Sequence, residues 1–145
     1  MPGVGSRGFA ANARISAIRS EGYRRHSGVD ARSGFATIGW IGERDVLKLT
    51  AIAGLFADTM AYIGATRAEL AADPRSNLLR SDETDRFTEQ VIALSHTRDL
   101  GNGASIANTI YRITTAGNYN VCVDVDCSIA SPVIWNFNLD FAWVG

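Results

Sequence analysis

Histidine, cysteine, proline and lysine are all scarce in this chain: 145 residues hold two His, two Cys, three Pro and a single Lys, Lys48. Two imidazoles exclude a metal site built from several histidines, and a two-histidine mechanism would have to use both His26 and His96. Two cysteines are too few for a disulfide scaffold, and the low proline excludes collagen-like and proline-rich classes. Net charge is also small, since 14 basic against 15 acidic residues leave -1. That argues against a nucleic-acid binder working through bulk positive charge, so no specific nucleic acid is expected as a partner. No long apolar run is present either. The longest candidate, residues 46–64, is broken by Lys48 and Asp58, so no membrane partner is expected. The first twenty residues carry Arg7, Arg14 and Arg19 without the apolar stretch of an export signal. Cys122 and Cys127, read as lying in one strand, would sit about 16 Å apart. They are therefore expected as free thiols in a reducing compartment, and no glycosylation sequon argues otherwise.

What the chain does have is 46% apolar and 20% charged residues, enough for one globular domain. Charge divides it. Residues 1–32 hold six arginines against Glu21 and Asp30, five glycines and few apolar residues. This stretch reads as a basic, extended N-terminal arm reaching a neighbour, with Arg7, Phe9, Arg14, Ile15, Ile18, Arg19, Arg24 and Arg25 as its interface. Arginine suits such contacts through bidentate hydrogen bonds to carboxylates.

Residues 33–145 read as a single α+β domain, helical over 43–100 and antiparallel β over 109–144. Phe35 to Ile41 is a short strand or lead-in. Asp45 caps a helix whose stripe is Leu49, Ile52, Phe56, Met60 and Ile63. Thr66 with Glu69 is a capping box for a brief helix to Ala72, stopped by Asp73-Pro74. A third helix starts near Ser81 or Asp82, turns Phe87, Val91 and Leu94 inward, and ends at the Gly101-Asn102-Gly103 turn. Tyr111 to Ile113, a turn at 115–118 and Tyr119 to Cys127 form a hairpin. A last strand sets Val133, Trp135, Phe137, Leu139, Phe141 and Trp143 on one face. The expected fold class is thus α+β: two or three helices packed on a C-terminal antiparallel β-sheet.

Few residues suggest chemistry. Ser95-His96-Thr97-Arg98 brings a hydroxyl, an imidazole and a guanidinium close in sequence. On a helix, however, adjacent residues point about 100° apart, so the polar helix end is the more economical reading. Asp124, Asp126 and Asp140 with nearby asparagines offer oxygen ligands, yet alternating polar residues are also what any half-buried strand shows. No catalytic residue, metal, cofactor or small-molecule substrate is therefore expected.

Residues 111–121, Tyr-Arg-Ile-Thr-Thr-Ala-Gly-Asn-Tyr-Asn-Val, resemble a hairpin of jelly-roll modules in bacteriophage virion and tail proteins. The resemblance implies a structural, non-enzymatic virion component, such as a capsid decoration (cement) or tail-connector subunit. Its partners would be copies of itself and a capsid or other virion protein, within a particle assembled in the host cytoplasm. The alternative is a small nuclease-like toxin enzyme using His96 and Arg98, aided by His26 or Arg112.

Overall fold

The computed structural model describes residues 8–124, 126–128 and 132–145. Six strands follow one another: β1 (Gly8–Ser20), β2 (Val29–Ile41), β3 (Asp45–Thr59), β4 (Thr84–Gly101), β5 (Ala104–Cys122) and β6 (Ile134–Val144). Each pairs antiparallel with its sequence neighbour, giving one sheet in the order β1-β2-β3-β4-β5-β6. Strands of 11 to 19 residues are two to three times the usual length of about six. The one helix of the described residues, α1 (Arg67–Ala72), lies in the β3–β4 connection.

The fold is therefore mostly β, and the expected α+β arrangement of two or three helices on a C-terminal sheet is wrong. Residues 43–100 are not helical but hold β3, α1 and most of β4. In β3 the spacing of Leu49, Ile52 and Phe56 mimics a helical stripe because both faces of the strand are apolar. Leu47, Leu49 and Leu55 point one way and Val46, Ile52 and Phe56 the other. Period-2 alternation vanishes in such a strand, and its three alanines add helix propensity. The capping box at Thr66 is present: the Thr66 N–H donates to Glu69 Oε2 at 2.6 Å and the Glu69 N–H to Thr66 Oγ1 at 3.3 Å. Asp73 ends that helix.

Residues 101–104 form the tight β4–β5 turn. Asn102 and Gly103 sit at φ 54 and 78, the two positive-φ positions a type I′ hairpin requires. No turn occurs at 115–118, where the chain runs straight through β5. The break comes at Cys122 instead. There β5 stops, and a Cys122–Cys127 disulfide closes with the Cα atoms 6.0 Å apart. The two thiols are thus not free, and the argument for a reducing compartment falls with them.

Of the expected arm, residues 8–32 are not extended away from the body. They hold β1 and the start of β2, which pair with each other, and the turn of residues 21–28 between them. The turn is anchored to the β3–β4 connection. Arg24 donates to the Ile63 carbonyl at 2.8 Å, Arg25 pairs with Asp73 at 2.9 Å, and the Asn77 amide reaches the Arg25, His26 and Met60 carbonyls. This end of the sheet holds the little core the described residues have. Met60 and Leu79 are its buried apolar side chains and Glu83, 2% exposed, its buried charge.

Candidate functional site

Opposed residues of an antiparallel pair share a face, so the registers assign every strand residue to one of two faces. One face is aromatic toward β6. Trp135, Phe137, Leu139, Phe141 and Trp143 line β6 there, beside Tyr119 and Ile113 of β5. Tyr119 stacks on Phe137 at 4.7 Å and Phe141 meets Trp143 edge-on at 4.5 Å. The other face is rich in alanine and leucine over β1 to β3, where Ala13, Gly34, Ala36, Ala51 and Ala53 floor a shallow groove beside Ile15. Among the described residues neither face is covered by a second layer. Leu49 and Ile52, on opposite sides of the same central strand, are 44% and 43% exposed.

The accessible surface measures this openness. The chain exposes 10576 Å², whereas a compact monomer of 15.6 kDa exposes about 7,200 Å². As bare chain, the residues outside the described set would account for at most about 1,600 Å² of the difference. Roughly half of the excess therefore belongs to the sheet.

The residues expected at the interface are divided by the structure. Phe9, Ile15 and Ile18 are 79%, 91% and 62% exposed on β1. Arg14 and Arg19 lie on the same edge strand, with Arg14 donating to Ser16. Arg24 and Arg25 are engaged within the molecule, as described above, and Arg7 lies outside the described residues.

Chemistry concentrates at the opposite end of the sheet. His96 and Arg98, two apart in β4, share a face because the element is a strand, and Asp45 of β3 sits between them. His96 Nε2 is 2.8 Å from Asp45 Oδ1, and Arg98 Nη1 is 3.4 Å from the same oxygen. The reading of Ser95 to Arg98 as a polar helix end is void, because these residues lie in strand β4. Ser95 faces the other side and accepts from Thr109 at 3.0 Å, so it is no nucleophile for His96. His26 lies in the β1–β2 turn, about 35 Å along the strands from His96, which excludes a joint mechanism. Asp45 was unreadable as a partner because its contact depends on register alone.

The three carboxylates considered for an ion are not assembled. Asp124 accepts from the Val133 N–H at 3.2 Å, Asp126 accepts from the Ser128 backbone and hydroxyl, and Asp140 is in mid-β6. Among the described residues no group of three or more potential ligands could hold a metal. A different pair does form. Asp58 and Asp85 oppose each other across β3 and β4, each with a buried Oδ1 that has no hydrogen-bond partner. Desolvation holds both carboxyls above the usual range, and the Asp85 charge adds to the rise at Asp58.

Compared with known proteins, the chain matches no family model, no curated protein and no solved structure.

Proposed function

We propose that this chain is a structural assembly subunit that covers its sheet with further copies of itself. One observation carries the reading: a six-stranded sheet whose central strand is apolar on both faces has neither face covered by any of the described residues. A solitary soluble chain rarely presents apolar patches of this extent, and contiguous ones mark interaction sites. Stable obligate interfaces bury 2,000 Å² or more in total, about what two such chains could contribute from their excess. The support does not come from an arm, because Gly8–Ser20 is strand β1 of the sheet. A bacteriophage particle as the setting, with a capsid or tail protein as second partner, rests on the resemblance over residues 111–121 alone, and that is a likeness of sequence only, because these residues are one straight strand and not a hairpin. Light scattering of the purified chain tests the reading. A mass that is a multiple of 15.6 kDa is expected, and a monomer at every concentration overturns it.

A second reading has one observation in its favour. The His96–Asp45 pair with Arg98 alongside has the form of an oriented imidazole next to an anion-binding guanidinium. A nuclease built on it would lose at least about a hundredfold in rate on His96→Ala, measured as cleavage of a labelled RNA. Unchanged cleavage, or none in the parent protein, removes this reading.

A further inference from the structure

Strand β6 reads Ile-Trp-Asn-Phe-Asn-Leu-Asp-Phe-Ala-Trp-Val, and it is nearly a palindrome about Leu139. Trp135 mirrors Trp143, Phe137 mirrors Phe141, Asn138 mirrors Asp140 and Ile134 mirrors Val144. In a two-fold antiparallel strand pair residue i meets j while j meets i, so an axis at Leu139 sets aromatic against aromatic and Asn138 against Asp140.

β6 is also an edge strand. It bonds β5 on one side and ends the strand order on the other. Natural edges are blunted with lysine, proline or bulges, yet β6 contains no Lys, Arg or Pro, and its pairing to β5 runs without a register shift. Its aromatic side chains stay open to solvent, with Trp135 54% and Trp143 53% exposed.

We infer that β6 pairs antiparallel with β6 of a second copy about a two-fold axis through Leu139, joining two sheets into one of twelve strands. The inference rests on the assembly reading and adds a contact to it: pairing at the β6 edge extends the sheet in its own plane and leaves the two faces for further copies. Only one register uses the whole strand well. Centred on Leu139, all eleven residues pair, like faces like across the seam, and each Asp140 carboxylate faces an Asn138 amide that can donate to it. Centred on Asp140, the two carboxylates would stand directly opposite, which is unfavourable. Centred on Asn138, Trp143 and Val144 would lose their partners. In the favoured register the tryptophans and phenylalanines form a continuous aromatic band from β5 across both copies of β6.

Cross-linking tests the axis. Cys122 and Cys127 are already joined, so Leu139→Cys adds the one free thiol. On the axis its Cα would lie about 4.5–5.5 Å from its counterpart, within disulfide reach. Mild oxidation should give a covalent dimer on a non-reducing gel, while Trp135→Cys, which faces Trp143 of the second copy, should not. A second variant leaves the core untouched. Asn138→Asp places like charges opposite Asp140 twice per dimer and should weaken association about tenfold, roughly 1.4 kcal/mol. Asn138→Asp with Asp140→Asn should restore it. If the parent chain assembles but Leu139→Cys forms no covalent dimer and Asn138→Asp leaves the mass unchanged, the β6 axis is wrong and the assembly reading survives. A parent chain that stays monomeric overturns both.

Discussion

Two residues hold positions that their neighbours leave no freedom to change. Glu83 accepts the Arg80 N–H at 2.7 Å and the Cys122 N–H at 2.8 Å, tying the β3–β4 connection to the end of β5. Glu83→Ala would take the carboxylate acceptor from two part-buried backbone donors, a cost of about 2–4 kcal/mol. In thermal unfolding followed by circular dichroism the midpoint should fall by roughly 5–10 °C. Gly117 lies opposite Phe87 in β5, and a Cβ there would come within 2.2 Å of the Arg86 carbonyl oxygen. Gly117→Ala should therefore destabilise by about 1–3 kcal/mol, read from the same melt. Asp58 works in the opposite sense. Its carboxyl titrates above the unfolded value because burial and Asp85 disfavour the charge, so the native state holds the proton more tightly. The stability linked to that proton is complete below about pH 4 and is lost as pH rises through the native value. Asp58→Asn should raise the midpoint at pH 7, and the gain should vanish in melts near pH 3.

At the scale of elements, the legible features were those encoded within a few residues. The Thr66–Glu69 capping box, the Asn102-Gly103 turn and the alternation of β6 each depend on local chemistry, and each is where the sequence points. β3 and β4 were misread because strands that are apolar or mixed on both faces carry no period-2 signal. The 115–118 segment has turn-like composition, but Gly117 is there to let Phe87 lie close and not to reverse the chain. His96 with Asp45, and Asp58 with Asp85, are products of register, which no local pattern reveals. The disulfide was missed because the strand was extended through it. By closing a short loop at the end of β5, it should contribute about 2 kcal/mol. Adding a reductant should lower the melting midpoint while leaving the far-ultraviolet spectrum of the sheet intact.

For the whole molecule, the balance of surface decides the behaviour. A sheet whose buried apolar residues, among the described ones, are Met60 and Leu79 at one end has little to hold it as a solitary layer, so its stability and its association should be coupled. The melting midpoint should accordingly rise with protein concentration, and a midpoint constant over a hundredfold range would count against obligate assembly. Covering both faces matters for folding as well, because exposed strands are open to non-native pairing.

Every strand contacts only the strand before and after it in sequence. A chain of this kind can be laid down hairpin by hairpin as it leaves the ribosome, each new strand finding its template already in place. The self-complementary strand is the last of the six to emerge. A nascent chain therefore has no means of docking by that edge while the earlier strands are still arranging themselves, and order of synthesis separates folding from joining.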